Sequence, residues 1–213
     1  MRSVDRSQVA RSAAARRAIS VLVPLMCLLP AACGADTEFA HSSQPDVVVG
    51  SGDSSASEIL AAIYAETLAR SGSTVRTDLA LGDRPQYLAA LDAGRITLVP
   101  EQSGALLDYL NPNAPATDSD DVYAALNRSL PEDLSVSDYA DAEVGAPTRA
   151  ETAVAQNVLP LFRKGSLSDA ETKRLNVVAG ELTTGELAEL VDAVNAGRSA
   201  RDAAREWLDL HGI

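Results

Sequence analysis

The stretch Val99–Leu110, VPEQSGALLDYL, joins the end of an apolar strand to the start of an apolar helix. The run Ile96–Val99 is short and apolar, whereas the leucines within Leu106–Leu110 recur at helical spacing. An acid, an amide and a hydroxyl separate the two patterns: Glu101, Gln102 and Ser103. Polar residues at such a junction either cap the helix or line a binding site, because open α/β sheets bind ligands at this edge.

Strands and helices alternate on both sides of this stretch. The predicted strands are Val47–Val49, Thr74–Leu81 and Ile96–Val99. The predicted helices begin at a capping box of Ser55 and Glu58, span Pro85–Ala93, follow Gln102, and span Val122–Ser129. Units of this kind predict an α/β fold with a mostly parallel sheet flanked by helices.

The regular alternation ends after Leu134. Residues 138–155 show neither strand nor helix periodicity, and Val158–Lys164 then reads as a further strand. Three short C-terminal helices are predicted to begin at Ser168 with Glu171, at Thr183 with Glu186, and at Ser199. The acids Asp118, Asp120 and Asp121 indicate a helix start rather than a metal site, since acids favour the positive end of a helix dipole.

The N-terminus carries the pattern of an export signal. Five arginines precede an apolar run, Ala18–Pro30, which is followed by two alanines and Cys33. The run is too short to span a membrane, so residues 1–32 are interpreted as a signal peptide. The sequence LPAAC resembles a bacterial lipobox, which implies lipid attachment at Cys33; ordinary secretion with cleavage nearby is the alternative. Residues 33–45 lack periodicity and are interpreted as a flexible tether.

Charge and composition exclude several function classes. The formal net charge is −12, and loss of residues 1–32, with five Arg and one Asp, makes it −16; such a chain is not expected to bind nucleic acid. The histidines His41 and His211 have no partners at metal-ligand spacing. The stretch GSGDSSAS, Gly50–Ser57, is not a phosphate-binding loop, and no nucleophile elbow is present. We therefore expect no catalytic residues, metal or cofactor, and no enzyme activity.

Three segments resemble the substrate-binding proteins of ABC importers for glycine betaine, choline and related quaternary ammonium osmoprotectants. They are VVVGSGDSSASEILAAIYAETLARSG, LALGDRPQYLAALDAGRITLVPEQSGALLDYL, and the C-terminal stretch from NVLPLFRKGSLSDAETKRL to Ile213. The resemblance implies a periplasmic-binding-protein type II-like lobe, extracytoplasmic and lipid-anchored, that works with ABC permease subunits. Two lobes are usual in this family. Here residues 46–139 correspond to the start of the first lobe and residues 156–213 to its return strand and C-terminal helices, whereas the irregular residues 140–155 replace a second lobe that is absent or vestigial.

The ligand site is expected where the predicted strands end. Two segments, Gly50–Ser55 and Pro100–Ser103, each follow a strand and open a helix, so both lie at the carboxyl edge of the sheet, where backbone N–H groups can hold a carboxylate. The candidate ligand-binding residues are Ser51, Asp53, Ser54, Glu101, Gln102 and Ser103. In the resembling family a Lys occupies the place of Gly52 and a cation-enclosing Tyr that of Gln102.

These departures predict weak binding of quaternary ammonium ligands. One aromatic face over a cation contributes about 0.5–2 kcal/mol, whereas micromolar affinity needs about 8 kcal/mol. Helix packing is the expected role of Tyr64, Tyr87, Tyr123 and Trp207, which leaves Tyr139 as the aromatic residue near the expected crossover. Two interpretations stay open: a shortened solute receptor, or a single-lobe interaction protein or degenerate remnant. An exposed apolar surface near residues 136–158 would indicate that a partner replaces the absent lobe.

Overall fold

The computed structural model describes residues 47–144 and 154–213, in which strands and helices alternate along the chain. The strands are β1 Val47–Gly50, β2 Val75–Asp78, β3 Leu98–Gln102, β4 Leu134–Val136 and β5 Val158–Arg163. The helices are α1 Ser55–Arg70, α2 Arg84–Asp92, α3 Ser103–Leu110, α4 Ser119–Ser129, α5 Asp169–Glu181, α6 Thr184–Asn195 and α7 Ala200–His211. The predicted α/β class is confirmed.

The five described strands form one mixed sheet in the order β2-β1-β3-β5-β4. Strand β1 pairs in parallel with β2 and β3, as the β-α-β pattern predicts. Strand β5 runs antiparallel to both β3 and β4. The carboxyl ends of β1, β2 and β3 therefore meet at one edge of the sheet.

The sheet separates two hydrophobic cores, and β5 shows how. Its side chains alternate: Val158 and Phe162 belong to the core under α1, α5, α6 and α7. Leu159 and Leu161 belong to the core under α2, α3 and α4. Because successive strand residues point to opposite faces, a strand that is apolar throughout indicates helices on both faces.

The three C-terminal helix starts are confirmed, whereas α1 and α2 each begin one residue before the predicted start and α4 begins at Ser119 rather than Val122. The capping boxes at Ser168 and Thr183 are present, and Ser199 caps α7. Helix α1, however, is capped by Ser54, whose Oγ accepts a hydrogen bond from the Ser57 N–H at 3.1 Å. The Ser55 hydroxyl instead donates to Asn195 Oδ1 at 2.6 Å and so ties α1 to the end of α6.

The acids before α4 lie where the sequence predicts. Asp118 is the N-cap residue, and Asp120 and Asp121 lie in the first turn. Among the residues that the structure describes, no group of three or more His, Cys, Asp or Glu side chains could hold a metal ion.

The connection between β4 and β5 is short. Residues 137–157 make up the whole connection, which is too few for a second α/β lobe. Its described ends lie against β5: the Ala140 N–H donates to the Val158 carbonyl at 2.8 Å, and the Val158 N–H donates to the Ala142 carbonyl at 2.9 Å. Residues 145–153 fall outside the described residues, as do the predicted signal peptide, the tether and Cys33.

Candidate functional site

A cavity of about 310 Å³ opens at the carboxyl edge of the sheet. Three loops form it, and they follow β1, β2 and β3 in turn. Its lining residues include Gly52, Asp53 and Ser54 from the first loop, Gly82, Asp83 and Arg84 from the second, and Pro100, Glu101 and Gln102 from the third. Tyr87 of α2 and Val144 complete two of its walls. The volume is at the small end of the range of ligand pockets.

The loop after β1 is fixed by bonds to the loop after β2. The buried Ser51 Oγ accepts a hydrogen bond from the Ala80 N–H at 3.0 Å, and Asp53 Oδ1 accepts one from the Gly82 N–H at 3.0 Å. Ala80 has a φ of 54°, in the left-handed region that non-glycine residues seldom adopt. The two loops therefore support each other, and Ser51 serves this contact rather than the cavity wall.

The floor of the cavity carries a buried ion pair. Arg84 Nε donates to Glu101 Oε1 at 2.9 Å, and Arg84 Nη2 donates to Glu101 Oε2 at 3.1 Å. The Tyr87 hydroxyl donates to Oε1 at 2.7 Å, and the Gln102 N–H donates to Oε2 at 3.1 Å. The Glu101 side chain is 2% exposed and the Arg84 side chain 25%. Every contact around the carboxylate is thus a donor, which is what a buried anion requires.

The ionisation of the two partners of Glu101 follows from this arrangement. Burial by itself would lower the pKa of Arg84, but the hydrogen bonds and charge of Glu101 outweigh it and raise the pKa. Burial raises the pKa of Tyr87, and the charge of Glu101 raises it further. Arg84 therefore stays charged and Tyr87 stays a neutral donor across the physiological pH range.

The start of α3 is bonded to its own chain. The Ser103 N–H donates to the Asn157 carbonyl at 2.9 Å, and the Ala105 N–H donates to Gln156 Oε1 at 2.9 Å. The buried Ser103 hydroxyl lies 3.3 Å from the Ala155 carbonyl. The expectation that backbone amides at this helix start hold a ligand is therefore wrong for Ser103 and Ala105, because residues 155–157 already occupy them.

Four of the six candidate residues share the cavity. Asp53, Ser54, Glu101 and Gln102 line it, whereas Ser51 and Ser103 are buried in contacts between loops and elements. Ser54 also caps α1. A role for any of the six in ligand binding remains a prediction.

Asp83 and Arg84 were not predicted as site residues, and Tyr87 was expected only to pack on its helix. All three belong to the segment after β2. The predicted strand Thr74–Leu81 extended into the start of this segment, so the segment was not recognised as a loop at the sheet edge. The observed strand ends at Asp78, so the loop from Leu79 reaches the same sheet edge as the other two. The edge rule applies to every parallel strand and would have identified this loop had the strand end been placed correctly.

Aromatic residues are scarce around the cavity. Among the lining residues that the structure describes, Tyr87 is the only aromatic one. Tyr64 and Trp207 are buried in the first core, as predicted. Tyr139 packs against Tyr123, with ring centroids 5.3 Å apart, and donates to Asp120 Oδ1 at 2.5 Å. No described aromatic group forms a cage with Tyr87.

The described part of residues 136–158 exposes little apolar surface. Its one large exposed hydrophobic side chain is Val154, which is 37% exposed. Val136, Ala140, Ala142 and Val158 are buried. These residues give no support for a partner that replaces the absent lobe.

The fold and its edge cavity define a single lobe of a substrate-binding protein of the periplasmic-binding-protein type. Residues 45–150 match the family described as the substrate binding domain of ABC-type glycine betaine transport systems. The chain is a member of this family over that segment, and the family is one of binding proteins rather than enzymes. A search of curated proteins gives no match.

Solved structures confirm the fold. A crystal structure of a glycine betaine/carnitine/choline ABC transporter protein aligns with a TM-score of 0.65 at 13% identity, over 79% of this chain and 98% of that one. Apo YehZ from Escherichia coli aligns with a TM-score of 0.66 at 14% identity, over 79% of this chain and 99% of YehZ. At such identities the likeness establishes the architecture alone. No helix among the described residues has the length and apolar character needed to cross a bilayer.

Proposed function

We propose that this chain is an extracytoplasmic solute-binding lipoprotein of an ABC importer and that it binds small glycine betaine- or choline-like osmoprotectants. The observation that supports this best is the position of the cavity: it lies between the loops after β1, β2 and β3 of a domain that belongs to a substrate-binding family. Its partners are the permease subunits of the importer, which receive the solute.

The expected affinity is low. Tyr87 offers one aromatic face among the described lining residues, and its hydroxyl is held by Glu101. One face supplies about 0.5–2 kcal/mol of the about 4 kcal/mol that a millimolar dissociation constant requires. The rest must come from polar contacts with Asp53, Gln102 and the Arg84–Glu101 pair, so we expect dissociation constants in the millimolar range.

A two-dimensional amide NMR titration of the full chain tests this proposal. Glycine betaine, choline, carnitine and proline are added in turn, and saturable shifts are expected at residues 52–54, 82–84 and 101–102. Asp53→Asn should weaken the saturable shifts, whereas Asp118→Asn, at the start of α4 and outside the cavity lining, should leave them unchanged. Spectra that ignore all four compounds would refute the solute-binding role. A sub-millimolar dissociation constant would refute only the prediction of weak binding.

The membrane anchor is a separate part of the proposal and rests on the LPAAC sequence before residue 34. In cells fed radiolabelled palmitate, the chain should take up label and fractionate with membranes. Cys33→Ser should abolish both, whereas Cys27→Ser, in the segment that cleavage removes, should change neither. Label retained in Cys33→Ser would refute the anchor and leave the binding proposal standing.

A further inference from the structure

Arg84 is the one basic residue among the described residues that line the cavity. Gly52, in the opposite loop, fits tightly: a Cβ there would lie 3.2 Å from both the Gly82 carbonyl oxygen and the Tyr87 ring. Among the described lining residues, Arg84 is therefore the cationic group that a ligand anion can contact.

Glu101 uses a minority of the N–H donors of the Arg84 guanidinium. Its Nε–H and one Nη2 hydrogen bind Glu101, which accounts for two of the five N–H donors that a guanidinium carries. No described residue accepts a hydrogen bond from Nη1. The two hydrogen bonds to Glu101 fix the plane of the Arg84 guanidinium. Its outer N–H groups are therefore oriented to bind a second carboxylate.

Several backbone donors near the cavity are already occupied. At α3 the amides of Ser103 and Ala105 are bonded to Asn157 and Gln156. At α1 the amides of Ser57 and Glu58 are bonded to Ser54, and the Gly52 amide is bonded to the Ser57 hydroxyl. The outer edge of Arg84 is the one positively charged donor among the described lining residues.

The rim of the cavity carries the opposite charge. Asp53 and Asp83 are exposed lining residues, and no described basic residue forms an ion pair with either. A ligand that carries a carboxylate and an ammonium group can place the first on Arg84 and the second near these acids. A ligand without a carboxylate uses only half of this arrangement.

On the basis of the proposed function, we propose that Arg84 anchors the ligand carboxylate and makes the cavity selective for zwitterionic ammonium compounds over choline. Glu101 and Tyr87 are positioning residues that hold the guanidinium in place. Glycine betaine and choline make a matched pair of probes, since both carry a trimethylammonium group and only the first carries a carboxylate.

The test compares both probes on three proteins by NMR titration of the full chain. The first is the unchanged protein; the second is Arg84→Gln/Glu101→Gln, which removes both charges of the pair and leaves the net charge of the lining unchanged. The third is Arg95→Gln/Asp78→Asn, which neutralises a pair with the same bidentate geometry, 2.7 and 3.1 Å, outside the cavity lining.

We expect the unchanged protein to bind glycine betaine about tenfold more tightly than choline. The Arg84→Gln/Glu101→Gln variant should lose that preference because it loses more betaine affinity than choline affinity, and the Arg95→Gln/Asp78→Asn control should keep it. Equal affinities in the unchanged protein, or equal losses of both probes, would overturn the role of Arg84 and leave the solute-binding function intact. Binding of neither probe to the unchanged protein would refute the solute-binding function itself.

A folding check accompanies the titration. If the spectrum of Arg84→Gln/Glu101→Gln has lost peak dispersion, Arg84→Lys replaces that variant. A lysine ammonium keeps the positive charge beside Glu101, but it lacks the planar set of N–H donors that can bind two carboxylates at once. The same selective loss of betaine affinity is expected, and unchanged selectivity in Arg84→Lys would overturn the inference.

Discussion

Gly104 lies so close to residues 154–156, just before β5, that a Cβ at its position would be 2.4 Å from the carbonyl oxygen of Ala155. The side-chain amide of Gln156 would lie 2.6 Å away. Since the amides of Ser103 and Ala105 bind this same segment, the start of α3 and the residues before β5 form one close backbone contact. This contact holds the end of the connection against the cavity-forming edge.

Gly104→Ala should therefore destabilise the protein. Overpacking against backbone costs about 1–3 kcal/mol, which for a domain of this size lowers Tm by roughly 2–12 °C. The matched control is Gly180→Ala at an exposed position of α5, where a Cβ meets nothing within 4 Å and the helix should gain about 0.5–1 kcal/mol. Thermal unfolding of both variants measures the difference. Equal Tm values for the two variants would show that residues 154–156 move enough to accommodate the added methyl group.

Arg84→Ala should cost stability because it leaves the Glu101 carboxylate buried without its cation. Loss of one partner of a fully buried pair costs about 3–5 kcal/mol, and the partial exposure of Arg84 reduces this to about 2–3 kcal/mol. Arg84→Gln/Glu101→Gln should cost less, since neutral amides replace both charges. Urea unfolding gives the free energies.

Arg95→Ala is the control for that measurement. Arg95 pairs with Asp78 in similar geometry, but its side chain is 61% exposed, so the expected loss is below about 1 kcal/mol. If Arg84→Ala and Arg95→Ala cost the same, burial does not determine the strength of the Arg84–Glu101 pair.

The sequence predicted the local units of this fold and not their long-range pairing. The β1-α1-β2-α2-β3 order follows from the periodicity of the segments, because every one of these elements except the edge strand β2 buries apolar residues of its own. The antiparallel direction of β5 depends on how the chain returns across the sheet. The three-residue strand β4 is too short to show a period and was not predicted.

The candidate site, like the fold, could be predicted from local sequence but not from long-range contacts. The polar residues at the ends of β1 and β3 were identified from position, and four of them do line one cavity. Which hydroxyls point inward was set by distant partners: Ser51 by Ala80 and Ser103 by Ala155. The Arg84–Glu101 pair joins residues 17 positions apart, so no local pattern could indicate it.

Tyr139 should ionise only at high pH, and Asp120 is the cause. The hydrogen bond to the Asp120 carboxylate, with a further contribution from burial, raises the pKa of Tyr139 from 10.0 to about 12. In an ultraviolet titration, the difference between the unchanged protein and Tyr139→Phe should show a midpoint near that value, with circular dichroism as the check on folding. Asp120→Asn should move the midpoint towards 10.0. A midpoint that Asp120→Asn leaves in place would assign the shift to burial instead.

Glu66 ties α7 to α1 and should give the fold a pH-dependent stability. Its carboxylate accepts from Arg201 Nε at 2.5 Å and from Arg205 Nε at 2.9 Å. Burial by itself would raise the pKa of Glu66, but the hydrogen bonds and charges of Arg205 and Arg201 outweigh it and lower the pKa below 4.5. A carboxyl group with a lowered pKa in the folded state stabilises the fold above pH 4.5, and this contribution is lost as the pH falls through the folded-state pKa.

The measurement is the free energy of urea unfolding for the unchanged protein and Glu66→Gln at pH 7 and at pH 3. Since both arginines are largely exposed, the expected difference at pH 7 is only about 1 kcal/mol, and it should shrink at pH 3. Glu206→Gln on α7, which removes the exposed ion pair with Arg198, should show little effect at either pH. If the loss of unfolding free energy in Glu66→Gln is the same at pH 3 as at pH 7, Glu66 acts through packing between α1 and α7 rather than through its charge.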